Sequence, residues 1–229
     1  MNLSSFKEIT EVSGKRFAES PLGKIADEIV LSNPMSEYDK PLGCKTENIE
    51  HPDRRALTPE ERAYYKNKLG WTDEQMDKCT IDDDGVIHFK TINSDKEGTT
   101  NENGTKYVSK TVEIDGVKVE GVFPEFDSAF DAQLDENQYN DNDRSQEKEC
   151  NKQLKEAIEK DPALAEKFTD EQLEQIKNGE TPDGYTWHHN EECGKMQLVK
   201  TEDHQSARHT GGRNIWGGGS SNRFTTQNQ

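Results

Sequence analysis

Apolar positions in this chain come in short groups, and the polar punctuation between them marks most of the elements. Ser20-Pro21 reads as an N-cap followed by Pro at the first helical position, which predicts a helix near 21–31. Residues 32–56 carry Pro34, Pro41 and Pro52 without periodicity and read as loop. Thr58-Pro59-Glu60-Glu61 is a capping box with Pro at N1, so a helix should run to Leu69 and stop at Gly70. The same spacing from Thr72 to Gln75 opens a short second helix. Strand chemistry follows at Ile81 and again over Val86-Ile87-His88-Phe89, around an acidic turn. Residues 93–104 read as a flexible loop. Tyr107 to Ile114 and Val117 to Phe123 flank Asp115-Gly116, a pair suited to the positive φ angles of a type I′ hairpin. Residues 135–149 are polar, part linker and part the start of a helix through about Lys160. Asp161-Pro162 caps a further helix, and the capping box Thr169 to Gln172 opens one that ends at Gly179.

The C-terminal pattern is different. Thr181-Pro182-Asp183-Gly184 is a turn, and Tyr185-Thr186-Trp187-His188-His189 is β-branched and aromatic, as a strand would be. A Gly-containing connection leads to a second strand, Met196-Gln197-Leu198-Val199. Thr201 to His209 fits a short helix, capped by Thr201 or Asp203 and stopped by Gly211-Gly212.

Composition adds limits. Only 29% of the 229 residues are hydrophobic, and 46 acids against 29 Lys/Arg leave a net charge of -17. The expectation is a folded chain with a thin core and a heavily solvated surface. No run approaches the roughly 18 apolar residues of a membrane span. No basic segment followed by an apolar run opens the chain, so no signal peptide is expected. Cys44, Cys79, Cys150 and Cys193 are widely spaced, which excludes a zinc knuckle or a Cys-x-x-Cys motif and favours scattered thiols over two disulfides. The acidic balance argues against a phosphate-rich partner.

The histidines change that picture. Four of six, His188, His189, His204 and His209, fall within 22 residues. Neutral imidazoles are good ligands for a transition-metal ion. Phosphodiester hydrolysis needs an activated water, a cation on the phosphate and help for the leaving oxygen. His188 and His189 point to opposite faces of a strand and so should differ in role. His204 and His209 are five residues apart, which a regular helix would turn about 140° from one another. His209 is therefore expected where the helix ends.

Trp-His-His, a short gap, Met-Gln-Leu-Val, then His-x4-His-Thr-Gly-Gly resembles the Trp-His-His group of HNH/endonuclease VII nucleases, in the His-Me finger superfamily. The resemblance covers about residues 181–219. It implies an α+β chain in which a helical and β-hairpin N-terminal part precedes a C-terminal ββα-metal nuclease unit. The divisions expected are 1–56, 57–180 and 181–229. It implies metal ligation by His188, His204 and His209, with His189 as general base. The cofactor would be a divalent ion, Zn, Ni, Mg or Mn. Arg208 and Arg213 are candidates, from residue type alone, to hold phosphate or stabilise developing charge, with charge on a solvated surface as the alternative for each. The group is common as a toxin module delivered by a bacterial secretion system, acting in the target-cell cytoplasm and neutralised by an immunity protein. DNA is the expected substrate and RNA the alternative.

This sequence departs from the broader pattern in having no Asn between Gly194 and His209. Asn190, Glu202 and Asp203 are candidates to fix the loop. Blander readings apply elsewhere: His51 and His88 as structural or surface residues, Trp187 as core, Cys193 as an incidental thiol, and Gly217 to Ser220 as a flexible tail. The acidic turn Asp82-Asp83-Asp84-Gly85 lacks calcium-loop ligand spacing. A non-catalytic interaction module with a structural zinc is the competing class, although structural zinc usually takes more Cys than the single thiol nearby. Charge no longer excludes a nucleic acid. Residues 181–229 hold five Lys/Arg and five acids, so the excess negative charge lies upstream.

Overall fold

Capping chemistry sets the boundaries of the first two helices as the sequence announces them. In this computed structural model residues 53–219 are described, all within one compact unit, His51–Gln229. The helix expected at 21–31, Cys44, His51 and Ser220 lie outside the described residues. β1 (Arg54–Ala56) leads to α1 (Pro59–Leu69). The Thr58 hydroxyl accepts from the Glu61 amide at 3.2 Å and the Glu61 carboxylate accepts from the Thr58 amide at 2.9 Å, closing the capping box. Gly70 ends the helix in the left-handed region at φ 66°. α2 (Asp73–Met76) repeats the reciprocal cap through Thr72 and Gln75.

A five-stranded sheet follows, in the order β1-β2-β3-β5-β4, with β2 (Cys79–Asp82), β3 (Ile87–Phe89), β4 (Lys106–Ile114) and β5 (Val117–Glu125). The Asp-Gly hairpin is as expected, with Asp115 at φ 50° and Gly116 at φ 78°. The acidic turn is an Asx turn, in which the Asp82 carboxylate takes the amides of Asp84 and Val86. β1 corrects the reading of residues 32–56 as loop throughout. Arg54 to Ala56 pair with Asp82 to Thr80, and Arg54 reaches Glu120 on β5. Such a three-residue edge strand is specified by its partner and leaves no periodicity of its own.

The second sheet has the order β6-β8-β7 and is antiparallel throughout, with β6 (Ser128–Gln133), then, after the helices α3 (Asp143–Lys160), α4 (Pro162–Ala165) and α5 (Asp170–Lys177), β7 (Tyr185–His189) and β8 (Lys195–Lys200). The two expected C-terminal strands are present. The third, β6, comes from a segment without a strand signal and makes β8 the central strand.

α3 covers one face of this sheet with a buried stripe of Gln146, Cys150, Asn151 and Leu154. Trp187, Leu198 and Phe130 lie side by side across the three strands. The Trp187 indole N–H donates to Asn151 Oδ1 at 2.7 Å, and the Thr181 hydroxyl shares that oxygen. Trp187 is thus core, as expected, but a core residue with a buried polar anchor. The opposite face carries Val199 into a cluster with Tyr107, Val122, Phe126 and Ala207. Among the described residues no helix is long and apolar enough to cross a membrane.

Asn151→Leu should destabilise the fold by about 1–3 kcal/mol, because the Trp187 N–H is left buried without an acceptor. A urea titration would show a lowered midpoint with an unchanged slope, and an unchanged midpoint would refute the anchor.

Candidate metal centre and its cavity

Side-chain alternation along β7 sorts the two adjacent histidines. His189 shares the α3 face with Trp187, and His188 points the other way. On that other face β8 runs directly into α6 (Thr201–Ser206), which carries His204. No side chain caps this helix, contrary to the expected Thr201 or Asp203 cap. The Thr201 amide instead donates to the Gly184 carbonyl, in the turn that precedes β7. The helix also stops at Ser206, earlier than expected, so His209 lies beyond its end. That releases the second ring from helical geometry, which the five-residue spacing required.

His188, His204 and His209 each offer a ring nitrogen, and these atoms lie within 4.8 Å of one another. Ring centroids are 5.4 Å apart for His188 and His204, 4.7 Å for His188 and His209, and 5.0 Å for His204 and His209. Phe126 touches all three rings, its centroid 4.8 to 5.7 Å from theirs, and forms an apolar floor. This residue, between β5 and β6, carries no sequence signal for the site.

The donor set fits a metal ion. His188 is 2% exposed and its Nε2 has no hydrogen-bond partner. A buried, unsatisfied imidazole nitrogen aimed among two other imidazoles is costly unless a ligand completes it. Burial first, then the neighbouring His209 and His204 rings, holds the His188 pKa well below its ordinary value, so the ring is a neutral donor at neutral pH. His209 Nδ1 donates to the Ala207 carbonyl at 2.6 Å, which leaves Nε2 with the lone pair. Tetrahedral ligation with bonds of about 2.0–2.1 Å would bring the three nitrogens somewhat closer than their present limit.

The loop that carries His209 is held from outside the C-terminal segment. Asn93, fully buried, donates through Nδ2 to the Arg208 carbonyl at 2.8 Å, and the Ile92 amide donates to the Thr210 hydroxyl. Residues 93–104 are therefore not simply a flexible loop. The connection between β7 and β8 is fixed by Asn190, one of the three candidates. Its Oδ1 accepts from the Glu192 amide and its Nδ2 donates to Gln197, while its carbonyl accepts from the Trp216 indole. The Asp203 carboxylate accepts from Asn103 Nδ2 at the surface and does not take that part.

α7 (Gly212–Ile215) closes the site and begins at a glycine read as a helix stop. A Cβ at Gly212 would stand 1.9 Å from the Asn190 carbonyl, so only glycine admits this approach. The helix is tied down by Trp71 Nε1 to the Ile215 carbonyl and Gln75 Nε2 to the Asn214 carbonyl.

A cavity of about 680 Å³ opens over these residues. Its wall includes all four histidines, Arg208, Arg213, Asp143 and Glu147. Arg213 is 5% exposed, with its guanidinium on the Asp143 carboxylate at 3.0 Å, the Asp141 carbonyl and Gln146. The Arg208 guanidinium lies at the exposed rim. Asp143 is thus neutralised by Arg213, and burial followed by the nearby Asp143 raises the Glu147 pKa.

The remaining candidates lie elsewhere. His88 is buried between Asp82 and Glu120, a structural placement. Cys79, Cys150 and Cys193 are free thiols, and burial pushes the first two up to about 12. Cys193 faces the Glu113 carbonyl.

In protein stripped of metal, an unfolded His188 binds a proton near pH 6.5 that the folded state refuses. Stability should therefore be full above that pH and fall on acidification below it, by up to about 1.4 kcal/mol per pH unit. Thermal melts in EDTA from pH 7.5 to 5 test this, and His188→Gln should flatten the acid limb.

No curated protein and no solved structure matches the chain. Residues 115–211, under half of the chain, match the family model of the DNase/tRNase domain of colicin-like bacteriocin. This stretch reaches well upstream of the Trp-His-His segment and takes in β6 and α3 as well as all four clustered histidines. The part of the chain that builds the histidine centre is thus similar to a bacteriocin nuclease domain, which supports a nuclease toxin domain.

Proposed function

We propose that this chain is a metal-dependent endonuclease toxin of the HNH, His-Me finger type. It hydrolyses phosphodiester bonds, with DNA of low sequence specificity as substrate. The observation that carries the reading is the unsatisfied, buried Nε2 of His188 facing His204 and His209. β7, β8 and α6 are read as the ββα-metal unit, and the family likeness supports the nuclease class.

His188, His204 and His209 would hold a divalent cation, leaving at least one position open to substrate. Such an ion, when bound, supplies positive charge against the scissile phosphate. His189, on the wall of the same cavity, accepts the proton of the attacking water. An imidazole suits that task at neutral pH. Arg208, whose guanidinium has no partner among the described residues, meets a phosphate oxygen from the rim. Arg213 keeps its charge at the cavity wall, within its bonds to Asp143 and Gln146. An immunity protein would shield the producing cell, and delivery would bring the chain to the target-cell cytoplasm.

Supercoiled plasmid and tRNA should be incubated with the full chain in Mg²⁺, Mn²⁺, Ni²⁺ or Zn²⁺, and in EDTA. Nicking of plasmid that EDTA abolishes is expected. His189→Ala should lower the rate about 10²–10⁴-fold while metal binding persists. Intact plasmid under every metal with degraded tRNA would reassign the substrate to RNA. Both substrates intact would overturn the nuclease reading.

A further inference from the structure

Gln146, on the first turn of α3, is fully buried and touches both His189 and Arg213. Its amide cannot be turned the other way round. Nε2 donates to the Gln138 carbonyl at 2.8 Å and to the Tyr139 carbonyl at 2.9 Å, and carbonyls only accept. Oε1 therefore faces the other two groups. It accepts from Arg213 Nη1 at 3.1 Å and lies 2.8 Å from His189 Nε2.

An amide oxygen has no proton to give, so the His189 nitrogen must be the donor. A neutral imidazole carries one N–H. With that proton on Nε2, the lone pair is on Nδ1. The identity of the basic nitrogen is thus decided outside the histidine motif, by a glutamine 43 residues upstream.

We infer that Gln146 is the positioning residue of the site, holding His189 as the Nε2–H tautomer so that Nδ1 is the nitrogen that receives the proton. This rests on the proposed role of His189 as base. A glutamine suits the task better than a carboxylate here. It orients the ring without a negative charge, where a carboxylate would set a further buried acid beside the Asp143–Arg213 pair. The same oxygen also fixes the Arg213 guanidinium, so ring and cation keep a constant relation. The two donors on Nε2 anchor the amide to the Gln138 and Tyr139 carbonyls, which fixes its orientation.

The test reads the tautomer directly. Full-length protein labelled with ¹⁵N in histidine is examined by long-range ¹H–¹⁵N correlation at pH 8, with His189→Gln supplying the assignment. The expected result for wild type is the Nε2–H pattern at His189. A wild-type Nδ1–H pattern would overturn the inference, and this measurement depends on no variant folding. Gln146→Leu should then give a mixed tautomer and a kcat lowered about 10–100-fold at little-changed KM. A pure Nε2–H pattern with wild-type kcat in Gln146→Leu would also overturn it. Absence of any nuclease activity with the Nε2–H pattern in place would sink the nuclease reading and leave the assignment of Gln146 standing. Plasmid cutting with the Nδ1–H pattern would do the reverse.

Discussion

The site depends on the alternation of side chains along one edge strand whose two faces meet different chemistry. β7 places Trp187 and His189 against α3, where two buried amides, Asn151 and Gln146, receive their N–H groups. It places His188 on the opposite side, among Phe126, His204 and His209. Since the strand period is two, a slip of one residue would exchange these faces and abolish both sets of contacts at once. Buried polar bonds to α3 thus lock the register that brings the three imidazoles together.

Local environment bears equally on the phosphate site proposed for so acidic a chain. The charge that matters is at the cavity, and there Asp143 is paired with Arg213 while the Glu147 carboxyl is pushed toward its neutral form. His188 is kept neutral by burial and by its imidazole neighbours, so this ring itself brings no positive charge to the cluster. Net charge governs long-range encounter and its salt dependence, whereas the local balance governs what enters.

Much of this was legible. Capping boxes at Thr58, Thr72 and Thr169, the Asp-Gly hairpin and the two strands around the C-terminal turn are local chemistry, read by the backbone within a few residues. The histidine spacing also told its own story. A five-residue interval is incompatible with one helical face, and His209 indeed lies past the helix end. What escaped were elements whose reason is a distant partner. β1 and β6 are strands because β2 and β8 offer them open edges. α7 forms in a glycine-rich stretch because Trp71, Gln75 and Asn190 receive it.

By itself the sequence determined the local elements, the group of imidazoles and the chemistry they could share, since these depend on residue type and short spacing. The tertiary structure alone decided what surrounds them. Phe126 under the rings, Asn93 holding the Arg208 carbonyl and Gln146 on His189 come from three separate stretches of chain, each remote from the residue it serves. None carries a signal in its own neighbourhood, because a buried donor or acceptor acquires its meaning only from the partner that folding brings within hydrogen-bond distance.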